Sequence, residues 1–244
     1  MFESTEILIV LALFVVALLY SSVGHGGASG YLAVMAFAAV SPNVTKPTAL
    51  ILNVFVASIA FFQFWREKHF DWKIFAPFAI TSVPFAFLGG MIQLPTNIYK
   101  IILGAVLILA AIRLAINLKN ENEPTAPNVW LALINGAVLG FLSGLVGVGG
   151  GIFLTPVLLL MNWTETKKAA GISALFILVN SISGLAGNYA QVKQLSSGVF
   201  VWIFAAVIGG ILGATLGSKR FNSLTLRRVL AIVLLFAGVK LVLV

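Results

Sequence analysis

Two glycine-rich stretches contain the residues in this sequence that are best suited to bind a ligand. The first is Gly24, His25, Gly26, Gly27 and Ala28, and the second is Gly147, Val148, Gly149, Gly150 and Gly151. Glycine adopts backbone conformations closed to other residues and lets a ligand approach the main chain. Because the second stretch opens an apolar segment, free amides and the positive end of a helix dipole would point into the turn. This arrangement is suited to a small anion.

Close helix packing is the competing explanation for glycines in an apolar chain. Gly140 with Gly144, and Gly209 with Gly213, have the spacing of four residues that fits packing better. Three near-adjacent glycines exceed what packing needs, so we favour a ligand site for the two glycine-rich stretches.

Several polar residues could complete such a site. His25 would donate to the anion or carry a proton, although a buried neutral histidine bonded to backbone explains it equally well. Asn53 and Asn180 lie in comparable apolar segments, where amides line a pathway or join helices. Thr155 follows the second glycine stretch. Lys46 begins an apolar segment and could attract anions, but a lysine that snorkels to water is the default expectation.

The sequence has none of the residue patterns that carry enzyme chemistry. It has no cysteine, and no cluster of metal ligands, no paired carboxylates within an apolar segment and no glycine-lysine loop for ATP. We therefore expect neither an enzyme nor a bound cofactor or metal.

The composition predicts a protein that lies in lipid. Of 244 residues, 60% are hydrophobic and 9% are charged, whereas soluble domains carry about 25% charged residues. The net charge of +8 comes from residues in short loops, so the positive-inside rule explains it more simply than binding to nucleic acid. The fold class expected is an all-α, polytopic membrane protein whose partners are the bilayer and a small anionic substrate.

The chain divides into two related halves. Residues 1–118 form the N-terminal repeat, residues 119–127 a polar linker, and residues 128–244 the C-terminal repeat. An offset of 123 residues aligns the glycine stretches, and an offset of 127 aligns Lys100 with Arg227 and Arg113 with Lys240.

The loop charges predict that the repeats are inverted. Short segments follow the glycines at residues 30–44 and 151–163. If these extend the preceding helices, the 15 Lys and Arg residues divide seven to eight between the two sides. If each runs back from a glycine turn, they divide eleven to four, as the positive-inside rule requires. The second topology has eight conventional helices and ten segments in all, with both termini outside the cell.

The short segments also explain where the glycine turns lie. They contain 15 and 13 residues, or about 20–22 Å of helix, against a hydrocarbon core of about 30 Å. The turns should therefore dip into the membrane from opposite faces. Paired interrupted segments in two halves are typical of a transporter binding site.

The pattern Gly-x-Gly-Gly-Gly with a proline five residues on, its paired N-terminal copy and the hydrophobic profile resemble the sulfite exporter TauE/SafE family over nearly the whole chain. The resemblance implies transport of sulfite, organosulfonates or related organic anions across the inner membrane. The substrate-binding residues we predict are Gly24, His25, Gly26, Gly27, Ala28, Asn53, Gly147, Gly149, Gly150, Gly151, Thr155 and Asn180. A passive anion channel and a non-transporting membrane subunit are the alternatives, and a homo-oligomer is compatible with each.

Overall fold

The computed structural model describes residues 4–22, 26–116, 123–196, 198–217 and 223–243, and all of its regular structure is helical. Eight helices have 18 to 25 residues: α1 (Ser4–Ser22), α3 (Pro42–Arg66), α4 (Trp72–Met91), α5 (Thr96–Ala115), α6 (Val129–Val146), α8 (Thr166–Gly187), α10 (Val199–Gly217) and α11 (Ser223–Leu243). Two have 10 residues, α2 (Ala28–Phe37) and α7 (Gly151–Leu160), and α9 (Tyr189–Val192) is a single turn.

The helices have the character of a polytopic membrane protein. By length and composition, α3, α4, α6 and α8 can each cross a membrane, and α1, α2, α5, α7, α10 and α11 contain apolar stretches of 10 to 17 residues. Large apolar side chains such as Ile80, Trp130 and Phe200 are exposed on the outer surface, where lipid tails would cover them. The expected fold class is confirmed.

Helix packing relates the two halves by a pseudo-two-fold axis. The first five helices, α1 to α5, correspond in order to α6, α7, α8, α10 and α11. The contact of α4 with α6 therefore corresponds to the contact of α10 with α1. The contacts of α3 with α8 and of α5 with α11 each join two equivalent helices. Each of these pairs is observed, so the halves are repeats of one arrangement.

The direction of the central pair shows that the repeats are inverted. Near the start of α3, Leu50 Cδ1 lies 3.3 Å from the Cβ position of Gly184, close to the end of α8. Near the end of α3, Phe64 Cβ lies 3.2 Å from the Cβ position of Gly171, close to the start of α8. The equivalent helices α3 and α8 are therefore antiparallel, which confirms the predicted topology of ten segments in two inverted halves.

The two short helices end in the same way, 123 residues apart. Ala39 and Asn162 have positive φ angles of 55° and 52°. The next amide in each case, of Val40 or of Trp163, donates over 2.9 Å to the carbonyl five residues back. Both helices are shorter than predicted, at about 15 Å, because these turns end them early. Pro42 then begins α3 sooner than expected, since proline suits the first helical position.

The four glycines for which the sequence predicted close helix packing do lie at helix contacts. Gly140 and Gly144 of α6 abut the backbone of Ser82 and Ala86 on α4, and Gly209 and Gly213 abut the backbone of α1. Of the linker, residues 123–127 are described and are not helical. The boundaries of the halves stay a prediction.

Candidate functional site

The first glycine turn reverses the chain. Helix α2 runs back along α1, so the hydroxyls of Tyr20 and Ser29 lie 2.8 Å apart. Gly27 caps α2 with a φ of 93°, which favours glycine. The Tyr31 hydroxyl covers Gly27 at 2.7 Å from its Cβ position, and is buried without a hydrogen-bond partner in the part of the chain described. Gly24 and His25 lie outside the described residues.

The second turn requires glycine at three positions. Gly147, Gly149 and Gly150 have φ angles of 90°, 78° and 76°, in the left-handed region that side chains disfavour. Gly147 ends α6, and Gly150 caps α7, which begins at Gly151. The first amides of α7 have no partner within the helix, so the turn presents donors at the positive end of the helix dipole.

Both turns meet at Asn53 of α3, whose side chain is fully buried. Its Oδ1 lies 3.0 Å from the Cβ position of Gly26, and its Nδ2 lies 2.5 Å from that of Gly149. The Nδ2 group donates over 3.4 Å to the Val148 carbonyl and to Ser181 Oγ. Asn53 Oδ1 has no partner in the described chain. One amide therefore bridges the two halves.

Thr155 lies in α7, which begins at the second turn, and Asn180 lies in α8, which packs on α7. Asn180 is fully buried; its Nδ2 donates to the Phe176 carbonyl at 2.8 Å, and its Oδ1 is unpartnered among described groups. The Phe176 ring lies 2.8 Å from the Cβ position of Gly150. Thr155 Oγ1 donates to the Gly151 carbonyl and lies 2.8 Å from Ser173 Oγ, so this hydroxyl joins α7 to α8.

Two residues that lie at the turns were not predicted from the sequence. Ile177 touches the Cβ positions of Gly26, Gly149 and Gly151, and an aliphatic residue in an apolar helix gives no signal of such a role. The contact of Tyr31 with Gly27 could have been predicted, because residues four positions apart in a helix lie one turn apart on the same face.

Lys46 differs from the expectation of a snorkelling side chain. It is only 6% exposed, and its Nζ donates to the carbonyls of Gly89, Gly90 and Ile92 at 3.4, 3.0 and 3.1 Å. These carbonyls lie at the C-terminal end of α4, where the helix dipole favours a cation. Its backbone packs on Gly147, which places this cation beside the second turn.

Carboxylates are absent from both turns within the described chain. The described acidic residues are Glu6 in the first turn of α1 and Glu67, Asp71, Glu123 and Glu165 in loops. Glu67 lies 3.9 Å from the His69 imidazole in the loop after α3. The turns thus combine glycine backbone, helix N-termini and buried amide and hydroxyl groups without competing negative charge.

Inverted halves with short helices that begin at glycine turns define a polytopic membrane protein of the inverted-repeat class. The sequence profile of the sulfite exporter TauE/SafE family matches residues 9–241, and the chain belongs to this family. A relative from Sinorhizobium fredii, named "Probable membrane transporter protein y4hK", is 39% identical over 98% of this chain and 99% of its own. "Probable membrane transporter protein YjnA" from Bacillus subtilis is 27% identical over 96% and 98%. No solved structure matches the chain.

Proposed function

We propose that the protein is a secondary transporter of small anions of the sulfite or organosulfonate type, and that the anion binds between the two glycine turns. The family is described as sulfite exporters, and the relatives are named as membrane transporters. These names support transport as the activity and sulfur oxyanions as the first substrates to test.

The bridging position of Asn53 is the observation that carries the proposal. A side chain from one half touches the glycine turns of both halves, so relative motion of the halves changes the site directly. Tyr31 Oη, Asn53 Oδ1 and Asn180 Oδ1 are buried without described partners. Buried polar groups are normally satisfied. The Tyr31 hydroxyl can donate to an anion as it stands, and the two amides would donate only after rotation turns their NH₂ groups into the site.

Tight packing around the turns favours a carrier over an open channel. Side chains of Tyr31, Asn53 and Phe176 lie within 3.0 Å of the Cβ positions of Gly27, Gly26, Gly149 and Gly150. Among the described residues, side chains thus pack closely on both turns, and an anion would pass only when the halves rock relative to each other.

Coupling and orientation complete the proposal. His25 is the candidate for proton coupling, because histidine titrates near neutral pH. The loops that carry Arg66, Lys68, Lys73, Lys167 and Lys168 would face the cytoplasm of the cell, by the positive-inside rule. Both termini would then lie on the side of the inner membrane opposite the cytoplasm.

Uptake into proteoliposomes tests the proposal. Radiolabelled sulfite and sulfoacetate are offered to vesicles that contain the wild type, Asn53→Ala, Asn53→Asp or Asn135→Ala. Asn135 is the control, since its amide donates to the Leu131 carbonyl of its own helix on the exposed part of α6, whereas Asn53 donates to the second turn. We expect saturable uptake by the wild type and the control, and at least tenfold slower uptake by both Asn53 variants.

The outcome separates the alternatives. Preloaded anion should accelerate uptake through a carrier by exchange, whereas a channel would show non-saturable flux without exchange. Wild-type vesicles that neither bind nor move any tested anion would leave the non-transporting subunit as the better interpretation. Normal uptake by Asn53→Asp would show that the anion does not bind at Asn53 between the two turns.

A further inference from the structure

A narrow cavity lies at the end of the bundle where α4 and α8 end and α3 and α5 begin. It has a volume of about 20 Å³, and polar and apolar residues line it: Pro42, Asn43, Lys46, Ile92, Gln93, Leu94, Tyr99, Leu145, Asn188 and Gln191. No carboxylate is among these described lining residues. The Lys46 ammonium is therefore a buried charge without a described counter-ion, since its three partners are neutral carbonyls.

The same cavity contains an unsatisfied donor. Asn188, the residue that ends α8, is 2% exposed, and its Nδ2 has no hydrogen-bond partner in the described structure. Burial of an amide without a partner is costly. A cation and an N–H donor that line one cavity together favour an acceptor that carries negative charge.

The cavity lies between a wider opening and the second glycine turn. Pro42 and Tyr99 line both this cavity and a neighbouring one of about 340 Å³, which also contains Lys100 and Lys240. On the inner side, the Tyr99 hydroxyl donates to the Val146 carbonyl at 3.0 Å, and Gly147 packs on Lys46. Three lysines thus line these two neighbouring cavities.

We propose that Lys46 and Asn188 form a second anion-binding site, which receives the anion before it reaches the glycine turns. This deepens the transport proposal and rests on it for the direction of passage, but binding at the cavity is a separate property. The present volume suffices for about one water molecule. An oxyanion therefore binds when Lys46 Nζ exchanges its α4 carbonyls for the anion, which frees the end of α4.

The opposite half differs at the corresponding helix start. There α8 begins with Lys167 and Lys168, which are exposed and half-buried, whereas Lys46 is buried. The two access routes therefore differ in how deeply a lysine lies.

The absence of cysteine allows a direct test on the full-length chain. Asn43 is exposed and lines the cavity, so Asn43→Cys reports from its mouth. Its rate of labelling is measured with an anionic and a cationic methanethiosulfonate, with and without sulfoacetate. Gln194→Cys, an exposed position in the loop after α9, is the matched control.

We expect the anionic reagent to be favoured in Asn43→Cys, and Lys46→Gln to lower the anionic-to-cationic rate ratio about tenfold, since one unit charge nearby is removed. Sulfoacetate should protect Asn43→Cys but not Gln194→Cys. Asn188→Asp, which keeps Lys46 and gives it an internal counter-ion, should abolish protection, so the test does not depend on the folding of Lys46→Gln.

The second site would be overturned if sulfoacetate protected Asn43→Cys equally with and without Asn188→Asp. It would also be overturned if Lys46→Gln, in monodisperse protein, left the ratio of anionic to cationic labelling rates unchanged. Because labelling is measured without flux, a protein that binds here but fails to transport would contradict the transport proposal alone.

Discussion

The side-chain nitrogen of Asn53 lies 3.4 Å from the carbonyl oxygen of Val148, which belongs to the glycine turn of the other half. This contact joins a residue of α3 to a backbone 95 positions later in the chain. Any rotation of one half against the other must alter it. The position of Asn53 therefore links the proposed binding site to the motion that would expose it to each face.

Gly149→Ala should inactivate the protein more than it destabilises it. The φ angle of 78° and the Asn53 amide 2.5 Å from the Cβ position leave no room for a methyl group. We expect a loss of about 1–3 kcal/mol in stability and at least a tenfold loss of anion uptake, measured by thermal unfolding and by flux. Gly198→Ala is the control, because its nearest neighbour lies 3.6 Å from the Cβ position. Wild-type uptake by Gly149→Ala would show that the turn does not form the site.

Tyr99→Phe should loosen the second turn. Loss of the 3.0 Å hydrogen bond to Val146 leaves a buried carbonyl with one partner fewer, at a cost of about 1 kcal/mol. Thermal unfolding should show this decrease, and Tyr189→Phe, at an exposed tyrosine, should unfold like the wild type. An unchanged midpoint for Tyr99→Phe would mean that the turn is held without this bond.

The sequence predicted the eight long helices, both turns and the inverted repeat, because hydrophobic length, glycine spacing and loop charge report on these directly. It did not predict the contacts of Ile177 or the burial of Lys46. Those depend on which helices pack together, and the carbonyls that hold Lys46 come from residues 89–92, more than 40 positions away. The placement of His25 remains a prediction.

The orientation in the membrane can be read from single cysteines in this cysteine-free chain. Glu67→Cys and Gln194→Cys lie in exposed loops at opposite ends of the bundle. In intact cells with an impermeant maleimide, we expect labelling at position 194 and labelling at position 67 only after permeabilisation. The reverse pattern would invert the proposed orientation.

His25→Gln should remove the pH dependence of transport if this histidine carries the coupling proton. Protonated histidine attracts the anion, so wild-type uptake should fall as pH rises through the neutral range in which histidine loses its charge. The comparison is initial uptake of sulfoacetate, which stays fully ionised in this range, between pH 5.5 and 8 for both proteins. A variant that keeps the wild-type pH profile would show that the proton travels elsewhere.

Anomalous diffraction from crystals soaked in selenite, a heavier analogue of sulfite, tests the central claim most directly. We predict a selenium peak within hydrogen-bond distance of the amides of residues 149–151 and of the Asn53 side chain, and its disappearance in Asn53→Asp. A peak confined to the Lys46 cavity, or a peak between the turns that persists in Asn53→Asp, would contradict the proposed site.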